Sequence, residues 1–68
     1  MKSIVAYNTK RYIKESGYKQ KAIAARAGYD PGVFSNMLNG RKLISDTDIP
    51  RIAAALNVMP NDLFATPE

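Results

Sequence analysis

A chain of 68 residues is expected to form one domain, residues 1–68, small enough that every element has to contribute to a single core. It holds no cysteine and no histidine, which excludes disulfide staples, zinc-finger ligand sets and Cys–His or Ser–His–Asp catalysis, and leaves helix packing by its 46% of hydrophobic residues to supply stability. No apolar run approaches the length of a membrane span and no signal-peptide pattern opens what reads as a native start, so a cytoplasmic location without a membrane partner is expected.

The net charge of +4 is unevenly spread. From Met1 to Lys42 nine basic residues face only Glu15 and Asp30, a local balance of +7; from Leu43 onward Arg51 stands against Asp46, Asp48, Asp62 and Glu68, a balance of −3. Such asymmetry suggests a basic face for a polyanion and a second part with another task.

The first segment runs from about Ile4 to Ser16. Val5, Thr9 and Ile13 recur every four residues, with Tyr12 and Ser16 alongside, so one helix face turns inward while Lys10, Arg11 and Lys14 take the rest. Ser3 suits the N-cap, and Gly17 suits the left-handed residue that ends a helix. A second, shorter helix spans about Gln20 to Ala27, with Ile23, Ala24 and Ala27 as its apolar stripe and Gly28 as terminator. Lys19 stands where Ser, Thr or Asp is expected as a cap, and a cation there opposes the helix dipole. A phosphate received at that helix end suits both the lysine and the dipole.

The third segment has the clearest start. Asp30 is a cap, Pro31 fits the first helical position, and Tyr29 and Phe34 have the spacing of a hydrophobic staple. Phe34, Met37 and Leu38 point into the core, and Asn39-Gly40 closes the helix. Its outer face, made of Gly32, Val33, Ser35, Asn36 and Asn39, is uncharged, whereas a merely solvated face usually bears Lys and Glu.

After Arg41 and Lys42 comes a loop in which Ser45, Asp46, Thr47 and Asp48 are all candidate caps. The fourth helix then runs to about Leu56, with Ile49, Ile52, Ala53 and Leu56 inward, Pro50 tolerated in the first turn and Asn57 as terminator. A brief fifth element opens at Pro60, with Leu63 and Phe64 packing back, and Ala65 to Glu68 are expected to fray. Tyr7, Tyr18 and Tyr29 read as packing residues.

Two short helices joined by Gly28, Tyr29 and Asp30 make a helix-turn-helix over about residues 20–39. The surrounding pattern of Gln20, Ile23-Ala24, Ala27-Gly28, Phe34-Ser35, Asn39-Gly40, Ile52-Ala53, Ala55-Leu56, Val58 and Leu63-Phe64 resembles the lambda-repressor-like family of Cro proteins and phage repressors. The resemblance spans about Val5 to Phe64. It implies an all-α, five-helix DNA-binding domain whose third helix enters the major groove. It also implies that Gln20 contacts the DNA backbone with Lys19 beside it, as do Asn39, Arg41 and Lys42. Pro31, Gly32 and Asn36 then fall where bases are read, with Val33 and Ser35 adjacent.

Of these, Asn36 is the best equipped, since an amide bonds the N6 and N7 edge of adenine. Val33 suits a thymine methyl and Ser35 either partner. Pro31 and Gly32 replace the long polar side chains common in the family, which shifts weight toward DNA shape. An arginine and a glutamate that many members pair between the first and third helices are here Ile13 and Leu38, an apolar replacement that strands no buried charge.

The function expected is sequence-specific binding of double-stranded DNA by a phage or prophage Cro-like repressor. An antitoxin autorepressor and the DNA-binding domain of a longer repressor are alternatives of the same class. A protein-interaction module on the same fold is the alternative of another class. No catalytic residue, metal or cofactor is expected, because no titratable cluster has general-acid or general-base spacing. A homodimer on a palindromic operator is expected, joined through Met59, Val58 and Phe64 in the acidic half.

Overall fold

The computed structural model describes residues 3–66, which form four α-helices and one 3-10 turn: α1 (Ile4–Ser16), α2 (Gln20–Ala27), α3 (Pro31–Leu38), α4 (Asp48–Leu56) and the 3-10 turn Pro60–Phe64. The helix ends are set by local chemistry. The Ser3 hydroxyl accepts the Ala6 N–H, and Asp30 accepts the N–H groups of Gly32 and Val33 at 2.9 and 3.3 Å, with Pro31 in the first turn of α3. Gly17, Gly28 and Asn57 close α1, α2 and α4 in the left-handed conformation.

Two starts differ from expectation. Thr47 precedes α4 but caps nothing; instead the Asp48 carboxylate receives the Ser45 N–H and hydroxyl at 2.9 and 2.8 Å, so Ser45 anchors the turn leading into the helix. At the 3-10 turn, apolar Met59 offers no side-chain cap; its carbonyl accepts the Asp62 N–H at 2.9 Å, and the Asp62 carboxylate accepts the Met59 N–H at 2.8 Å.

The fifth element is therefore a 3-10 turn and not a fifth α-helix. Five residues bounded by Pro60 leave no room for a second α turn, and the tighter i to i+3 pattern closes instead. Within it Leu63 is fully buried, but Phe64 is 51% exposed, against the expectation that both pack back. A 3-10 repeat of three residues per turn does not bring adjacent positions to one face.

Phe34, Met37, Ile23, Ile52 and Leu63 form the centre of the core, joined by Val5, Ile13, Leu38 and the alanines 24, 27, 53 and 55. The alanines let α2 and α4 approach closely. Ile13 and Leu38 both lie in this apolar cluster, so no charge is buried there. Tyr12 is half-buried, Ser16 is exposed, and Tyr7 and Tyr18 are 50% and 55% exposed, so neither of these last two tyrosines is a packing residue as expected. No helix among the described residues is long and apolar enough to cross a membrane.

The buried face of α1 includes a residue that hydrophobic patterning passes over. Asn8 is completely buried, and its Nδ2 donates to the Leu63 and Ala65 carbonyls at 2.8 and 2.9 Å. Ala65, expected to fray, is thereby tied to α1; residues 67 and 68 lie outside the described residues. Thr9 beside it returns its hydroxyl to the Val5 carbonyl at 2.7 Å. Asn8→Ala leaves the two carbonyls without donors, which costs about 1–3 kcal/mol. In a domain of this size the melting temperature is expected to fall by at least about 4 °C. Thermal unfolding followed by circular dichroism checks this, and a variant melting with wild type would show that the amide does not hold the 3-10 turn.

Candidate nucleic-acid interface

The turn between α2 and α3 is held from outside the motif. Arg51 on α4 donates from Nε and Nη2 to the Ala27 carbonyl at 3.2 and 3.0 Å, and from Nη2 to the Gly28 carbonyl at 3.2 Å. A cation thus satisfies carbonyls at the C-terminus of α2, where the dipole is negative. Its guanidinium also lies 4.3 Å from the centre of the Tyr29 ring, which stacks near-parallel on Phe34 at 5.7 Å. The Tyr29 hydroxyl donates to Asp48 at 2.7 Å, so α4 holds this residue at ring and hydroxyl. Gly28 is favoured by its φ of +85°, and a Cβ there would stand 2.8 Å from Arg51 Nη2 and push the guanidinium aside.

This cluster perturbs two titrations. Burial and the Asp48 hydrogen bond push the Tyr29 phenol up to about 12, from an ordinary 10.0. The Tyr29 hydroxyl and the Ser45 N–H hold the Asp48 carboxyl below its ordinary value.

With the turn fixed, α3 buries Phe34, Met37 and Leu38 and leaves Pro31, Gly32, Asn36 and Asn39 exposed, with Val33 36% exposed and Ser35 half-buried. Gly32, Val33, Asn36 and Asn39 are exposed as expected, whereas Ser35 is drawn partly inward. The Asn36 amide has no hydrogen-bond partner among the described residues, while Asn39 Nδ2 donates to the Ser35 hydroxyl at 3.3 Å. The chain leaves α3 in a tight reversal in which the Arg41 and Lys42 N–H groups both donate to the Asn36 carbonyl, at 2.9 and 3.2 Å. That places two exposed cations at the C-terminal end of the helix. Lys19 and Gln20 are exposed at the N-terminal end of α2, where Lys19 makes no capping bond.

Of the expected interface residues in the acidic half, Met59 and Phe64 are 68% and 51% exposed, whereas Val58 is half-buried and packs against the core. The Tyr29–Phe34 stack is the staple that local spacing indicates, whereas the ties from Tyr29 to Asp48 and from Arg51 to the turn are not disclosed by local patterning. Arg51 is the sole base from Leu43 onward, the one local sign of a special task. No group of three His, Cys, Asp or Glu residues that could hold a metal ion occurs among the described residues.

A family model described as a helix-turn-helix domain matches residues 10–65. The chain belongs to the lambda-repressor-like helix-turn-helix family. By class it is a DNA-binding transcriptional regulator. Its fold is similar to that of the restriction-modification controller protein C.AhdI from Aeromonas hydrophila, with a TM-score of 0.83 over 90% of this chain and 92% of that one at 23% identity. No curated protein matches the chain.

The Tyr29–Asp48 bond has a pH signature. A phenol whose pKa is higher folded than unfolded stabilises the fold fully below pH 10.0 and loses that contribution as pH rises through about 12. The melting-temperature gap between wild type and Tyr29→Phe is therefore expected to hold steady up to about pH 10 and to close toward pH 12. Melting curves across that range test it, and a gap that does not change there would mean that burial and the Asp48 bond do not raise the phenol.

Proposed function

We propose that this chain is a sequence-specific repressor of the Cro-like kind found in phages and prophages, binding double-stranded DNA by occupancy with no chemistry of its own. The observation that supports this best is the uncharged, exposed face of α3, with a free Asn36 amide and with exposed Arg41 and Lys42 at its end. A protein-binding module of the same fold has no need of cations around such a face. The basic balance of the first 42 residues favours a polyanion.

In this reading Asn36 bonds an adenine edge, Val33 meets a thymine methyl and Ser35 bonds either partner, while Pro31 and Gly32 let the helix N-terminus approach the groove closely. Lys19, Gln20, Asn39, Arg41 and Lys42 contact phosphates and fix the register. With one strong base reader, much of the discrimination falls to DNA shape.

One short helix covers few base pairs, so the operator is a palindrome read by two copies about 34 Å apart. Met59 and Phe64 supply the exposed apolar surface for that homodimer, with Val58 as the packed edge beneath it. The patch is small, so the dimer is weak and forms mainly on DNA.

Affinity is expected to fall steeply with salt, each Lys or Arg phosphate contact adding about −0.9 to the slope of log affinity against log salt. Asn36→Ala should cost on the order of 1–3 kcal/mol at one base pair and relax specificity, whereas Lys19→Ala should weaken all sequences alike. Binding to duplexes selected from a random pool, compared with unselected duplexes, measures both. Equal losses on the two kinds of DNA for Asn36→Ala would refute its role as a reader.

The dimer is tested separately. Sedimentation with the selected operator should show two wild-type chains per site and a loss of cooperative binding in Met59→Asp. One chain per site for wild type, or cooperativity that survives the substitution, contradicts it.

A further inference from the structure

A second surface lies between α1 and the end of α3, at the edge of the helix-turn-helix. It is an open cleft of about 350 Å³ lined by Tyr7 and Lys10 on one side and Asn39 and Gly40 on the other, floored by Ala6 and Leu38. No carboxylate lines it. Lys10 and Tyr7 are both exposed, and neither side chain has an ion pair or hydrogen bond among the described residues. Neighbouring Arg11 differs, being paired with Glu15 at 3.1 Å. Gly40 has a φ of +81° with open space where a Cβ would stand, so a ligand can approach the backbone there.

One unspent cation, one unspent hydroxyl donor, an apolar floor and no competing acid describe a receptor for a single anionic group. Asn39 and Gly40 adjoin the stretch at Arg41 proposed above to follow the DNA backbone, and consecutive phosphates on a strand advance only about 3.4 Å along the helix axis. Asn39 itself lines the cleft, so a phosphate next to one bound at Asn39 and Arg41 is within reach of it on a strand that runs toward α1.

We infer that the α1–α3 cleft holds a further phosphodiester of the same DNA strand, with Lys10 supplying the charge and Tyr7 a hydroxyl hydrogen bond. This extends the backbone contacts of the DNA-binding reading, on which it rests, to α1, and lengthens the footprint beyond what the recognition helix covers. Lys14, one turn further along α1, is exposed but lies outside the cleft and makes no such contact.

The test uses the whole chain and a random-sequence duplex, because phosphate contacts need no operator. Lys10→Gln is expected to reduce the salt slope by about 0.9, and Lys14→Gln to leave it unchanged. Tyr7→Phe is expected to lower affinity about two- to ten-fold without changing the slope, since a neutral donor releases no counterion. All three positions are exposed, and circular dichroism melts check that the fold is intact. Equal effects at Lys10 and Lys14 would mean that overall charge, not the cleft, acts on DNA. If wild type binds and Lys10→Gln keeps the full slope, the cleft contact alone is wrong. If wild type binds no duplex at low salt, the DNA-binding reading and the cleft contact fall together.

Discussion

The turn between α2 and α3 is tied to a third helix by one side chain, Arg51. A two-helix unit of eight residues each has too little apolar surface to hold its own geometry, and the reversal between them strands carbonyls at the end of α2. Arg51 answers both needs. Its guanidinium takes the Ala27 and Gly28 carbonyls while its face covers the Tyr29 ring, and Tyr29 in turn stacks on Phe34 at the start of α3. The chain of contacts from α4 through the turn to α3 is unbroken. Arginine suits this position because its planar fork bonds two carbonyls while one face remains free to stack. Lysine, a point charge, does one or the other.

That arrangement frees α3 from structural duty on its outer side. The helix is anchored at its start by Asp30 and the Tyr29–Phe34 stack, along its inner face by Phe34, Met37 and Leu38, and at its end by the return of Arg41 and Lys42 to the Asn36 carbonyl. Every fixing contact uses the backbone or the buried face, so Asn36 and Val33 can vary with the DNA to be read without disturbing the fold. Asn8 plays a comparable part at the opposite end of the molecule. It spends both amide hydrogens on the carbonyls of Leu63 and Ala65, and its own oxygen has no partner among the described residues. The amide adds two directional hydrogen bonds to the apolar packing of α1 against the 3-10 turn, which fixes the turn with Phe64 outward.

Helix boundaries and the face that α3 turns outward were legible in the chain because both are local properties. A capping side chain bonds amides two or three residues away, a left-handed terminator acts within one turn, and apolar residues at i, i+3 and i+4 share a face whatever lies opposite. The spans of the first three α-helices, the end of the fourth, the Asp30 cap and the exposure of Gly32, Val33, Asn36 and Asn39 follow from those rules, and the family pattern joined them into a helix-turn-helix. What only tertiary structure decided involves partners far apart in the chain. Asn8 meets carbonyls more than fifty residues away, and polar patterning alone would have put it in solvent. Arg51 reaches back 24 residues to Ala27, a partner that no local pattern in the sequence indicates. Phe64 stays exposed because a short turn bounded by proline coils as 3-10, which sends neighbouring side chains in different directions. Tyr7 and Tyr18 were left on the surface because the core volume was already filled by Phe34, Met37, Ile23, Ile52 and Leu63, a balance that no single segment can report.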